Sequence, residues 1–416
     1  MFQQKGNRTN NPPIPLSTHE LMIKAIDEND LTAAQNILSV SNNVAYKLSD
    51  NVQKALFHAT NKGNLAIIDA LYNSRALGLN APGDNQATLF FTACAAGHVE
   101  IAQYFMKKGQ AKKQEVHDIF QLVDINRQNR DNDSPLFAAC AMNRVEVVKY
   151  LLTFREITVS LNAKNYNGVT PFFAACSNGH EKIVELLLGL SGDLEVNINK
   201  RYKEEKLPKE WGTDEPNEIE SQTALYIACK NGHPKIVEML LKDKRIDIDL
   251  TNRRGETPFY ATCQGGKIHV IRKFQEKEGF NFVQALITPS PQSIYPVTWI
   301  LCQNLEFSFI QSIVTKLLSL NNFIEVMTAI LKNVTTLAKQ IIPHEGNRPI
   351  LQYMMCSIQA RITGQRLEDT VNSLTPEQQK QIIAINSQQL PERITKIIDL
   401  FPPANKAIPQ LRIQAN

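Results

Sequence analysis

One arrangement of apolar and polar positions returns along the first two thirds of the chain. The runs ATLFFTACAAGH, DSPLFAACAMNR, VTPFFAACSNGH, QTALYIACKNGH and ETPFYATCQGGK end at His98, Arg144, His180, His233 and Lys267. Their cysteines align as Cys94, Cys140, Cys176, Cys229 and Cys263. Weaker copies, HELMIKAIDEND and QKALFHATNKGN, end at Asp30 and Asn64. Each run precedes a stretch such as VEVVKYLL or EKIVELLL, whose apolar residues fall three and four apart, as one face of a helix requires. Within a run, Thr-Pro predicts a helix start, because Thr caps and Pro is tolerated in the first turn. A small pair such as Ala175-Cys176 lets a neighbouring helix approach closely. Asn178-Gly179 predicts a stop, since Gly accepts positive φ. The predicted unit is two short antiparallel helices and a connecting loop, repeating every 34–36 residues where spacing is tightest.

These phrases resemble the ankyrin repeat family, through Thr170-Pro171, Ala175-Cys176 and Gly179-His180, and through Thr257-Pro258, Thr262-Cys263 and Gly266. The resemblance covers about Ser17 to Gln284 and implies an all-α solenoid of six to seven repeats. It makes His98, His180 and His233 structural. The family usually places His two residues after the Pro. Here that register holds Phe57, Phe91, Phe137, Phe173, Tyr226 and Tyr260, so a hydrophobic ladder is expected in place of a polar one. Two spacings are stretched, which places insertions near 107–123 and 189–218. The first is expected to extend a helix. The second is strongly charged and carries Trp211.

Beyond Gln284 the phrase stops. A Pro- and Ser-rich linker is expected over 285–296, then an α-helical domain of about five helices over 297–401, including one at Thr375–Ile385 and one at Pro391–Phe401. Residues 1–16 read as a disordered arm and 402–416 as an extended tail.

Charge and composition narrow the function. The 416 residues carry 45 Lys+Arg against 41 Asp+Glu, too even for nucleic acid as main partner. The longest uncharged stretch, Gly279–Leu305, holds three prolines and cannot span a bilayer. No apolar signal core opens the chain. Seven cysteines without a CxxC pair point to reduced thiols in a cytosolic compartment, with no metal site. No phosphate-binding loop, zinc-protease motif or nucleophile elbow is present, so no cofactor is expected. The only nucleophile and base that suit an enzyme are Cys356 or Cys302 with His344.

Recognition remains. The resemblance implies a monomeric module that binds a protein partner through hairpin tips and exposed ends of first helices. The tips are Arg130, Asp131, Tyr166, Asn167, Arg253 and Arg254. The helix ends are Ala95, Ala96, Ala141, Met142, Ser177, Asn178, Lys230, Asn231 and Gln264, and Trp211 is a further anchor. Asn is abundant (36) and Arg scarce (16 against 29 Lys), as in AT-rich genomes. The array joined to an unfamiliar helical segment looks like the ankyrin-type effectors that intracellular bacteria such as Legionella or Coxiella deliver into host cytoplasm by type IV secretion. The alternatives are an enzyme in the helical segment with the repeats as substrate receptor, and an adaptor with an exposed apolar groove there.

Overall fold

The computed structural model describes residues 17–39, 50–74, 79–116, 123–202, 221–291, 294–302, 306–320, 327, 348–363, 366–367, 371 and 392–401. Among them the regular elements are helices, with one isolated antiparallel bridge between Tyr202 and Gln222. The chain divides into two compact units, residues 1–196 and 197–416.

The first unit holds five helix pairs: Thr18–Asp27 with Leu31–Ser39, Asp50–Lys62 with Leu65–Ser74, Leu89–Ala96 with Val99–Val116, Pro135–Ala141 with Val145–Leu151, and Pro171–Asn178 with Glu181–Leu188. Each first helix packs on the next first helix, and each pair is closed by contacts between its own two members. Side chains as small as Ala93, Cys94, Ala139, Cys140, Ala175 and Cys176 permit this, and all six are fully buried. The second unit continues with Ala224–Asn231 and Pro234–Lys242, then Pro258–Gln264 and Ile268–Glu276. Helices Phe282–Ile287, Pro296–Cys302, Phe307–Leu318, Arg348–Thr363 and Glu392–Asp399 follow. Glu392–Asp399 packs against both Phe307–Leu318 and Arg348–Thr363.

The caps follow the sequence. Hydroxyls of Thr88, Ser134, Thr170, Thr223 and Thr257 accept from the amides of Phe91, Phe137, Phe173, Tyr226 and Tyr260 at 3.1–3.2 Å. Each capped amide belongs to the aromatic register, so the cap also fixes where the ring enters the core. Gly97, Gly179 and Gly232 end their helices at φ 94°, 79° and 83°. In the fourth pair Asn143 takes the turn at φ 58°, because Asn tolerates the left-handed region better than other side chains.

The next repeat then closes each turn. His98 Nε2 donates to Asn61 O at 3.0 Å, Arg144 Nε to Ala95 O at 3.0 Å, and His180 Nε2 to Ala141 O at 2.9 Å. These carbonyls lie in last turns, where a helix has no partner of its own for them. The donors lie over the glycines. A Cβ on Gly63 would fall 2.7 Å from the His98 ring, and one on Gly97 2.7 Å from Arg144 Cδ.

Insertions and ends differ from their neighbours. The helix entering the 107–123 insertion runs for 18 residues, against 7 to 10 in the other second helices of the first unit. Residues 203–220, Trp211 among them, and the helix expected at Thr375–Ile385 lie outside the described residues. In the expected linker, residues 285–287 finish a helix, and Ser290 closes a turn. Ser290 N donates to Ile294 O at 2.9 Å, and Ser290 Oγ accepts from Ile294 N at 3.3 Å. Asn252 and Glu256 make the same two bonds, at 3.0 and 2.9 Å. Pro296 follows Ser290 by six residues, as Pro258 follows Asn252, and Pro296–Cys302 packs on Pro258–Gln264. The closing bonds of a hairpin and a further first helix therefore recur after the cysteine-marked phrase has ended.

Gly97→Ala tests the closure. A side chain in the left-handed region costs about 1–2 kcal/mol by itself, and here it also meets Arg144. Gly192, at φ 64° with nothing within 4 Å of its would-be Cβ, is the control. Urea unfolding is expected to show Gly97→Ala destabilised by about 2–3 kcal/mol and Gly192→Ala by about half that. Equal losses would mean that Arg144 does not close the turn.

Candidate binding surface

The hairpins between repeats are built on Asn. Asn129 Oδ1 accepts from the amides of Asp131 and Asp133 at 2.9 and 2.8 Å, and Asn165 Oδ1 from Val169 N at 2.9 Å. In the first unit successive hairpins are also tied to each other. Arg130 N donates to Asn85 O at 2.9 Å, and Asn85 Nδ2 to the Asp131 carboxylate at 3.1 Å. Tyr166 N donates to Asp131 O at 2.8 Å, and Asn165 Nδ2 to the Asp133 carboxylate at 2.9 Å. Burial pushes the Asp133 carboxyl up, against the lowering effect of its bonds from Asn165 and Asn129.

The tip residues singled out from the sequence thus have mixed roles. Arg130, Asp131, Tyr166 and Asn167 are exposed, yet the main chains of the first three hold the hairpins together. Tyr166 is 58% exposed and Met142 59%. Asn178 is exposed, but its amide donates to Ala141 O at 3.0 Å, so it ties two repeats. Ser177 is half-buried, as are Ala95, Ala96 and Ala141. In the second unit Lys230, Asn231, Arg253, Arg254 and Gln264 are exposed.

A cleft of about 640 Å³ opens in the first unit between helix Asp50–Lys62 and the hairpin at 82–85. Gln53, Lys54, Phe57 and Asn61 form its floor, facing Pro82 and Asp84. Gln53 Nε2 donates to Pro82 O at 2.8 Å, and Gly83 sits where a Cβ would be 2.9 Å from the Phe57 ring. Behind it, Asp27 bonds His58 and Lys62, both at 3.0 Å. Lys62, then His58, hold its carboxyl below the usual range. The list of candidate residues drawn from the sequence omits this cleft, although Phe57 shares the aromatic register and Pro82-Gly83-Asp84-Asn85 is a plain turn signal.

The aromatic register is only partly hydrophobic. Phe91 and Phe173 are buried, and Phe57 and Phe137 half-buried. In the second unit the rings carry polar ends that are used. Tyr226 OH donates to Glu256 Oε2 at 2.9 Å and accepts from Asn252 Nδ2 at 3.0 Å. Trp299 Nε1 donates to Tyr260 OH at 3.0 Å. The expected hydrophobic ladder is corrected there to a buried hydrogen-bonded one, because a buried phenol must bond its oxygen somewhere.

The thiols are core. Cys94, Cys140, Cys176, Cys229, Cys263 and Cys356 form no disulfide among the described residues and are fully buried. Desolvation pushes Cys229 up to about 12 and Cys356 up to about 11. Cys356 packs with Val371, Tyr353 and Leu367. The side chain of Cys302 and all of His344 lie outside the described residues. Among the described residues no group of three His, Cys, Asp or Glu side chains could hold a metal.

Comparison with known proteins bears on the array directly. A family model described as ankyrin repeats in three copies matches residues 110–201, and one described as ankyrin repeats in many copies matches residues 216–259. Residues 110–201 and 216–259 therefore carry ankyrin repeats. The crystal structure of the human ASB11 ankyrin repeat domain is similar at 21% identity and a TM-score of 0.42, over 58% of this chain and 89% of that one. The comparison with curated proteins finds no match. Ankyrin repeats make the array a protein–protein interaction module. No described helix is long and apolar enough to cross a membrane.

The burial of Cys356 has a direct check. Reactive cysteines are exposed and have lowered thiol pKa values; Cys356 has the reverse of both. Iodoacetamide at pH 7.5, read by peptide mass mapping, is expected to label Cys356 at least about a hundredfold more slowly than the urea-unfolded chain. Rapid labelling in the folded protein would revive the nucleophile reading.

Proposed function

We propose that this protein captures another protein through the first unit, using exposed rings and thioethers set on a fixed main chain. The observation that carries the reading is the distribution of exposed large apolar side chains. Among the described residues these are Leu21, Met142, Val159 and Tyr166, all in the first unit. Met142 ends a first helix and Tyr166 tips a hairpin, two of the positions at which the family resemblance puts partner contacts. An exposed aromatic on a rigid backbone loses little entropy on binding, which is how hot-spot residues work. The cleft beside Phe57 adds a polar pocket for a neighbouring segment of the same partner. The partner is a host-cell protein, and the chain acts as an effector in a reducing cytosol. The Asn-rich, Arg-poor composition supports that reading, and so do the buried thiols, which form no disulfide among the described residues.

Capture by the full chain from eukaryotic host lysate, read by mass spectrometry, tests it. Met142→Asp combined with Tyr166→Ala is expected to lower recovery of the main partner at least about tenfold, since losing a hot spot costs about 2 kcal/mol or more. Both side chains are exposed, so melting temperature is expected to stay within about 2 °C of the parent. Undiminished recovery by the double variant would overturn the proposed surface.

A further inference from the structure

The second unit contains a cleft of about 500 Å³ that the capture surface does not use. It opens between the hairpin at 249–256 and helix Phe282–Ile287. Phe259, Tyr260 and Phe280 line it, the Phe259 and Phe280 rings meeting edge to face at 5.5 Å. Among the described residues its charged lining is Asp249 and Glu256, both acidic. Asp249 is exposed, whereas Glu256 is only 6% exposed.

Glu256 is the unusual group. Tyr226 OH and Asn252 Nδ2 both donate to its Oε2, at 2.9 and 2.8 Å, and its amide donates to Asn252 Oδ1. Its side-chain bonds thus converge on one oxygen and come from neutral donors. Among the described residues no Lys or Arg comes within ion-pair distance of it. A carboxylate withdrawn from water is costly unless a cation answers it, and a cleft lined by a second acid and aromatic walls is where a cation would enter. A guanidinium suits this lining better than an ammonium. It is planar, weakly hydrated and stacks on aromatic faces while its fork engages carboxylates.

We propose that this cleft is a pocket for an arginine side chain of a partner protein, with Glu256 and Asp249 holding the guanidinium and Phe280 packing against its plane. Only the source of the arginine rests on the reading of the array as a protein-capturing surface; the chemistry of the pocket does not.

The probe is Nα-acetyl-L-arginine amide, added to the full chain and followed by saturation-transfer NMR. Its citrulline counterpart has nearly the same shape without the charge, and its lysine counterpart keeps the charge without the fork. The arginine amide is expected to bind, the lysine amide several-fold more weakly, and the citrulline amide not measurably. Asp249→Asn and Glu256→Gln are each expected to weaken arginine binding at least about tenfold, as loss of a charge-assisted bond does. Glu256 also anchors Tyr226 and Asn252, so the Gln variant is read only if its melting temperature is retained. Asp249→Asn, on an exposed side chain, decides otherwise. Equal binding of arginine and citrulline amides, or undiminished arginine binding by Asp249→Asn, would overturn the pocket. Equal binding of lysine amide would overturn its preference for arginine. The Met142/Tyr166 double variant is expected to bind the arginine amide like the parent, so loss of partner capture and loss of this pocket are separable.

Discussion

Everything in the first unit depends on one exchange: a repeat cannot finish its own first helix, and the next repeat finishes it. The unit's first helices, of 7 to 13 residues, are marginal alone in water. They leave last-turn carbonyls unbonded and end on a left-handed residue. His98, Arg144 and His180 reach back to supply the missing donor, and two of them cover the glycine that makes the turn. The second helices add ties of the same reach. Tyr104 OH donates to Asp69 at 2.7 Å, and Lys108 joins the same carboxylate at 3.2 Å while lying over the Tyr72 and Tyr104 rings. Stability is then a property of neighbours, as expected for a repeat array.

That arrangement shapes what the surface can offer. The hairpin tips commit Arg130 N, Asp131 O and Tyr166 N to neighbouring hairpins, which fixes their main chains. Their side chains are released to meet a partner and held in place at the same time. Asp131 shows the limit, since its carbonyl holds Tyr166 and its carboxylate holds Asn85. Tyr166 shows the gain, with its amide fixed and its ring exposed. Asn178 resembles a contact residue in the sequence, but its amide is committed to Ala141.

The repeat was legible because packing imposes it. Only small residues fit between adjacent first helices, so the Ala-Cys pairs recur, and only Gly or Asn fits the turn. The hairpin ties were not legible, because Asn and Asp are common in any loop and their partners lie 32 to 46 residues away. The extra turn closed by Ser290 and Ile294 was hidden for a related reason. Ser290 supplies the acceptor that Asn supplies elsewhere, and Leu301 stands where the cysteine would be. The geometry tolerates both changes, whereas a phrase-based reading does not. Of the candidate surface, residue types at tips and helix ends could be read, but not which were committed to structure. The Phe57 cleft was hidden because its repeat lacks the cysteine.

The second unit keeps that cover, with Lys267 over Gly232, and adds another coupling. Where the register holds Phe, the ring adds area but cannot bond the next hairpin. Where it holds Tyr, the phenol reaches Glu256 from Tyr226 and receives Trp299 at Tyr260. Buried bonds of this kind are exacting, because removing one member strands the others without water to replace it. Trp299 belongs to helix Pro296–Cys302, beyond the last cysteine-marked phrase, and is 8% exposed. Its bond to Tyr260 makes that helix part of the same buried network as the last marked repeat. The polar ladder thereby joins helices Ala224–Asn231, Pro258–Gln264 and Pro296–Cys302 into one packed stack, although the repeating phrase ends well before the last of them.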